Sequence, residues 1–321
     1  MKAAVLHHLG EIPRYEDIDE PLRLNDQQLL LTVRAASIKN IDKSLANGSH
    51  YDSYKNLPAI VGIDGVGILE DGKRVYAGGM SGMMADKALI SKNRYIALPE
   101  NIDDITAAAL PNPGISAWLS LYYRASIRPG ETVLINGATG VAGKIAVQLS
   151  KHFGAAKVIA TGRNKKILET LPDLGADEII SLTQSDADLK KAFTTELIKN
   201  SFDIIIDYTW GHPAEIILDS LTGNDLFAET HRTRYVSVGA MAGPTIQFSS
   251  ATLRSSAIEM YGSGGGSVSK EIMMKIPELL LELYQLAAAG KIKIETEVMR
   301  LKDIETAWTL IEAGKRIVMV P

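Results

Sequence analysis

Three glycines at a spacing of three, Gly137, Gly140 and Gly143, stand between an apolar β-branched run, Thr132-Val133-Leu134-Ile135, and a stretch with helical apolar spacing at Val141, Ile145, Ala146, Leu149 and Phe153. Strand, glycine turn and helix in that order are what a phosphate-binding loop needs. A glycine at 140 lets the backbone approach a pyrophosphate, and one at 143 lets the helix pack close to the strand. The free N–H groups at the helix start then face the anion. The spacing departs from G-x-G-x-x-G because Ala138 replaces the middle glycine. The segment Gly137, Ala138, Thr139, Gly140, Val141, Ala142 and Gly143 is therefore predicted to cradle a dinucleotide.

Two other kinds of chemistry are poorly served. The 321 residues contain no cysteine, which excludes disulfides, thiolate zinc sites and thiol catalysis. The six histidines, His7, His8, His50, His152, His212 and His231, show no helical ligand spacing, so no metal site is expected. A net charge of −4 implies no bulk attraction to nucleic acid or to an anionic membrane. No apolar run reaches membrane-spanning length, and the N-terminus is too polar after Leu9 for a signal peptide. A cytoplasmic protein is the expectation.

The elements that must position the glycine loop follow from periodicity. The first hundred residues read as short strands, with Leu29, Leu31, Val33 and Ala35 on one face of 28–37 and further runs at 66–69, 74–77, 88–91 and 95–98. This predicts a small barrel-like β domain. From Asp103 the period changes. Helices are expected at 103–110, 115–124, 141–153, 165–174, 187–199, 212–221 and 270–289. They alternate with strands at 132–135, 157–161, 178–180, 202–207, 235–238 and 258–261. That alternation predicts a doubly wound parallel sheet of the dinucleotide-binding kind. After Gly290 a strand at 291–298, a helix at 303–313 and a strand at 316–320 are expected to return to the first domain. The predicted domains are thus 1–112 with 289–321, and 113–288.

With these elements placed, the chain resembles the medium-chain dehydrogenase/reductase superfamily, in particular its zinc-free quinone oxidoreductase branch. The resemblance runs through AASIKNIDKSLANG (35–48), LPAIVGIDGVG (57–67), AALPNPGISAWLSL (108–121), RPGETVLINGATGVAG (128–143), KVIATGRNKKILETLPDLGAD (157–177) and GKRIVMVP (314–321). It implies a GroES-like β-barrel domain joined to a Rossmann domain. The zinc alcohol dehydrogenases of the superfamily carry a Gly-His-Glu segment where this chain reads Gly62-Ile63-Asp64, and their cysteine ligands are absent here. A Lewis-acid alcohol dehydrogenase mechanism is therefore not expected.

The cofactor is predicted to be NADPH. After the second Rossmann strand the chain reads Thr161-Gly162-Arg163-Asn164-Lys165-Lys166, with no acid before Glu169 to bind a ribose 2′-hydroxyl. Arg163 and Lys166 suit a 2′-phosphate instead. Tyr208, Val238, Gly239 and Ser263 close later Rossmann strands and are the remaining cofactor contacts expected.

Without a metal, hydride transfer to a quinone or α,β-unsaturated carbonyl is the consistent chemistry. Conjugate addition yields a phenolate or enolate that hydrogen-bond donors can stabilise. The resemblance places those donors at 39–54. There the family commonly has Asn-Pro-x-Asp followed by a glycine and an aromatic residue, whereas this chain has Lys39, Asn40, Asp42 and Gly48. Aligned on Gly48, the tyrosine position falls on His50, with Tyr51 one step on. Tyr51 is the expected pocket donor, with Lys39 and Asn40 beside it. Asn112–Ser116 corresponds to a segment that passes under the nicotinamide. Two alternatives stand beside this reading: a reductase of another activated double bond such as an enoyl thioester, and an NADPH-binding sensor without catalysis. A homodimer, paired through 258–261, is implied by the resemblance.

Overall fold

The computed structural model describes residues 1–223, 231–310 and 314–321. The chain separates into two units, Met1–Asn112 with Pro277–Pro321, and Pro113–Ile276.

The first unit opens with β1 (Lys2–Leu6), β2 (Arg14–Asp17), β3 (Gln28–Ser37), α1 (Asn40–Asn47), β4 (Ala59–Ile60), β5 (Asp64–Leu69), β6 (Arg74–Gly79), β7 (Lys87–Ala97) and α2 (Asp104–Ala109). Alternation governs β3: Leu31, Val33 and Ala35 are buried while Thr32 and Arg34 face solvent. The strands β3, β5, β6 and β7 pair antiparallel in succession, and β7 pairs back to β3, which closes a small barrel. The two runs expected at 88–91 and 95–98 are one strand. Its first half pairs with β3 and its second half with β6, and the change of partner interrupts the pattern. Leu6, Leu31, Met83, Met84 and Ile90 fill the interior.

The second unit carries α3 (Pro111–Trp118, whose first two residues precede the division), β8 (Thr132–Asn136), α4 (Val141–His152), β9 (Lys157–Gly162), α5 (Lys165–Leu168), β10 (Glu178–Ser181), α6 (Asp186–Lys199), β11 (Ile204–Asp207), α7 (Gly211–Ser220), β12 (Arg232–Ser237), α8 (Ser250–Ser255) and β13 (Ala257–Gly262). The six strands form one parallel sheet in the order β10-β9-β8-β11-β12-β13. Both central strands, β8 and β11, are buried along their whole length, which is why they read as unbroken apolar runs. The helix expected at 165–174 is two pieces, α5 and a tight turn at Leu171–Leu174. Pro172 has no N–H to continue the ladder. The helix expected over 115–124 is α3 followed by one wide π-turn at Leu119–Arg124.

The long α9 (Lys270–Ala288) contains the second division at Pro277. The chain then adds β14 (Thr296–Arg300), α10 (Ile304–Thr309) and β15 (Arg316–Val320) to the first unit. β15 pairs antiparallel with the end of β3, and β14 parallel with β15. The strand expected from 291 begins only at Thr296, where the ladder with Arg316 starts. The helix expected over 303–313 ends at Thr309, where Leu310 turns extended, and residues 311–313 lie outside the described residues. Among the described residues no helix is long and apolar enough to cross a membrane.

Candidate nucleotide site and buried ion cluster

The carboxyl ends of four strands in the second unit are tied together by one buried polar network. Asp207, the last residue of β11 and fully buried, is its centre. Its Oδ1 accepts from Asn136 Nδ2 at 2.9 Å, from Thr209 N and Thr209 Oγ1 at 2.8 Å each, and from Trp210 N at 3.0 Å. Its Oδ2 accepts from the Tyr235 hydroxyl of β12 at 2.6 Å. Asn136 ends β8, and its Oδ1 accepts from Thr161 Oγ1 of β9 at 2.6 Å. Thr161 Oγ1 in turn accepts from Gly137 N at 3.2 Å. Burial, with the Asp207 charge beside it, drives the Tyr235 phenol well above its usual range, so this hydroxyl stays a donor. The same carboxylate holds Trp210 at φ 51°, a left-handed conformation that costs energy for a bulky residue unless something fixes it.

This network sits directly under the glycine turn. Gly137 has φ +88°, and Ala138 N donates to Thr161 O at 2.7 Å. A Cβ at Gly143 would lie 2.5 Å from Gly137 O and 2.6 Å from Ala138 Cα, both backbone atoms, so only glycine lets α4 start this close to the turn. Gly140 caps α4 with no side-chain hydrogen bond, and its own missing Cβ faces nothing nearer than Gly137 O at 3.6 Å. The first turn of α4, including Val141 and Ala142, thus offers N–H groups that no side chain caps. Thr139 stands over Gly162, where a Cβ would meet its methyl at 2.2 Å. Gly143 and Gly162 thus let the turn, α4 and the end of β9 pack closely, and the open side of Gly140 leaves the uncapped N–H groups of α4 free to meet an anion.

At the end of β9, Thr161 and Gly162 are buried, whereas Arg163, Asn164, Lys165 and Lys166 are exposed. Asn164 caps α5 through Ile167 N. Lys165 lies 3.9 Å from Glu169, a weak surface contact. Tyr208 follows Asp207; its hydroxyl is buried, and burial pushes the phenol up against the pull of Ser116. Val238 N and Gly239 N both donate to Asp207 O, and Ser263 accepts from Ser120 Oγ at 2.9 Å.

In the first unit the expected catalytic residues part company. Tyr51 is 86% exposed, stacked against His50 at 4.2 Å between ring centroids. Asn40, the first residue of α1, is exposed. Lys39 is 1% exposed. Its Nζ donates to Ser37 O at 2.8 Å and to Asp64 Oδ1 at 2.9 Å, and lies 3.3 Å from Asp42 Oδ2. Asp42 also accepts from Lys39 N at 2.9 Å and from Ile63 N at 3.0 Å. Burial alone would lower the Lys39 ammonium, but Asp42 and Asp64 outweigh it and hold it raised. Burial pushes the Asp42 carboxyl up. Arg316 donates from Nη1 to Ile38 O at 3.1 Å, and burial lowers its guanidinium against the pull of both carboxylates. Burial, with Asp42 nearby, pushes the Tyr54 phenol up to about 12. Tyr76 is raised by burial and by Asp64 beside it. Sequence reasoning placed Asp207 at a strand end that faces ligand, without its network, and passed over Asp64, Arg316 and Tyr235. The signal available for Asp64 was its place in Gly62-Ile63-Asp64; the others carry no local signal.

Residues 142–283 match the family described as zinc-binding dehydrogenase. The chain is 26% identical to an NAD-dependent alcohol dehydrogenase of Sulfolobus acidocaldarius, across 98% of this chain and 97% of that one. It is 27% identical to the quinone oxidoreductase of Sus scrofa, across 86% and 80%. The crystal structure of Escherichia coli quinone oxidoreductase complexed with NADPH superposes over the full length of both chains with a TM-score of 0.84 at 21% identity, a likeness of fold. A parallel sheet whose first strand feeds an uncapped glycine helix, in a chain that also carries a closed β-barrel, is a fold of the dinucleotide-binding class, and the relatives make the protein an oxidoreductase. The chain is thus similar to zinc-binding dehydrogenases over residues 142–283 and to quinone oxidoreductases over most of its length. The zinc of that family's description does not fit the donors present. The sequence has no cysteine, Ile63 cannot coordinate, and the nearby carboxylates Asp42 and Asp64 already share an ammonium.

Proposed function

We propose that this protein is a zinc-independent, NADPH-dependent reductase that transfers hydride to a quinone or an α,β-unsaturated carbonyl. The observation that carries the cofactor choice is Arg163. It is exposed at the carboxyl end of β9, one residue past buried Gly162, where an NAD-preferring site would present an acid. Its planar fork and the Lys166 ammonium suit a 2′-phosphate. The N–H groups from Gly137 to Gly143 would hold the pyrophosphate, and Tyr208, Val238, Gly239 and Ser263 the nicotinamide half. When bound, the nicotinamide supplies the hydride.

The chain's own residues would then stabilise the negative charge that develops on the acceptor oxygen. The exposed amide of Asn40 and the exposed hydroxyl of Tyr51 are donors suited to an acceptor oxygen, and Tyr51 can pass a proton to it. A phenolate or enolate is a mild enough anion for such donors to replace a Lewis acid. A homodimer paired along the β13 edge belongs to the same proposal.

The test is steady-state loss of nicotinamide absorbance over a panel of quinones, enones, aldehydes and primary alcohols. Turnover of quinones or enones with NADPH in preference to NADH is expected. Tight NADPH binding with no turnover of any acceptor would favour a sensor, and activity confined to alcohol oxidation would sink the proposal.

A further inference from the structure

Four oxygens converge on one buried point in the first unit: the Ser37 carbonyl at 2.8 Å, Asp64 Oδ1 at 2.9 Å, Asp42 Oδ2 at 3.3 Å and Ser37 Oγ at 3.5 Å, all measured to Lys39 Nζ. Two carboxylates, a carbonyl and a hydroxyl are the ligand chemistry of a hard cation. Here the cation is the protein's own. We infer that Lys39 is a permanent internal counter-cation, seated where Asp42 and Asp64 would otherwise draw in a divalent ion, and that it positions α1 against β5 instead of donating a proton to substrate.

The connectivity supports this. Asp42 lies in the first turn of α1 and grips Ile63 N, one residue before β5 begins. Asp64 is the first residue of β5. The ammonium joins the two carboxylates and ties both to Ser37 at the end of β3. Three chain segments that approach from different directions are thus fixed by one nitrogen. Asn40 follows directly on the main chain, so its placement depends on this seat. An ammonium with three hydrogens aimed at these oxygens is saturated, and at 1% exposure it meets no solvent. The other titratable groups facing the cluster are Arg316, which adds a second positive charge, Tyr54 near Asp42, and Tyr76 and Tyr284 near Asp64. Removing Lys39 leaves two buried carboxylates with too little positive charge to balance them.

This inference takes from the proposed function only the placement of Asn40, and its test reads stability, so the two fail separately. The Lys39→Met variant keeps the volume and drops the charge. Its melting midpoint near pH 8 is expected about 5 °C below that of the native chain. The deficit should shrink on acidification toward about pH 5, because buried Asp42, no longer paired, takes up a proton at a raised folded value and its penalty grows as pH rises. Adding Asp64→Asn to Lys39→Met should recover much of the loss at the higher pH. In Lys39→Ala, methylammonium chloride should raise the midpoint more than equal sodium chloride does. A Lys39→Met deficit that is the same at every pH and is not relieved by Asp64→Asn would overturn the inference. So would stoichiometric uptake of zinc or magnesium by the native chain with a rise in its midpoint. If Lys39→Met does not fold at all, folding of the double variant supports the inference and its failure refutes it.

Discussion

Replacing Tyr235 by phenylalanine isolates one bond in the network beneath the glycine turn. The tyrosine ring is fully buried and stays so in the variant, so no cavity opens. What is lost is the 2.6 Å bond from its hydroxyl to Asp207 Oδ2. Among the described residues the carboxylate keeps four donors on Oδ1, while Oδ2 keeps only Trp210 N at 3.1 Å. A hydrogen bond to a charged acceptor contributes about 1.5–3 kcal/mol, so the expected loss is about 2 kcal/mol. For a chain of this size that is about 3 °C in melting midpoint. Asp207→Asn preserves shape but presents an NH₂ group to donors on one side. Its expected cost is about 2–3 kcal/mol, and the dissociation constant for NADPH should rise because Asn136 and Thr161 set Gly137. The measurement is a double-variant cycle by thermal or urea unfolding. Coupling between the two sites should be about 1 kcal/mol or more. If Tyr235→Phe shifts the midpoint by less than about 1 °C, or costs as much in the Asp207→Asn background as in the native one, the network does not carry the energy assigned to it.

Other outcomes follow from the same geometry. Arg163→Ala should weaken NADPH far more than NADH, by about tenfold or more in kcat/KM, and an unchanged preference would remove Arg163 from the 2′-phosphate site. Gly143→Ala drives a Cβ into Gly137 O and Ala138 Cα, so it should cost about 1–3 kcal/mol and abolish cofactor binding by equilibrium fluorescence; normal binding would show that the turn yields. His212 bridges Asp186 at 2.9 Å and Glu215 at 3.2 Å, and the hydrogen bond to Asp186, then that to Glu215, raises it. Its raised folded value means the bridge stabilises fully below about pH 6.5 and fades as pH rises through that value. His212→Asn should therefore lower stability at acid pH by less than about 1 kcal/mol, given its exposure, and not at all near pH 9; a deficit that grows with pH would contradict the sign.

Much of the fold was legible because period and punctuation are local. The strand–glycine–helix order at 132–153 and the later βα alternation name a parallel dinucleotide-binding sheet, and its strand order confirms that class. Boundaries were less legible where partners decide them, as in β7, whose halves pair with different strands, and β14, which starts only where β15 lies beside it. The pairing of Lys39 with Asp64 spans 25 residues, and that of Asn136 with Asp207 spans 71. No periodicity encodes such meetings.

The amino-acid sequence by itself determined which chemistries the chain can perform. With no cysteine it has no thiolate ligand for zinc, and with Gly137, Gly140 and Gly143 after an apolar strand it carries the strand–glycine–helix order on which the proposed cofactor site rests. Tertiary structure alone decided the fate of its charges. Lys39 and Tyr51 lie twelve residues apart in sequence, yet one is sealed between two carboxylates and the other stands in solvent. The reason is electrostatic: an ammonium enters a protein interior only where folding brings anions to meet it, and those anions come from distant segments of the chain.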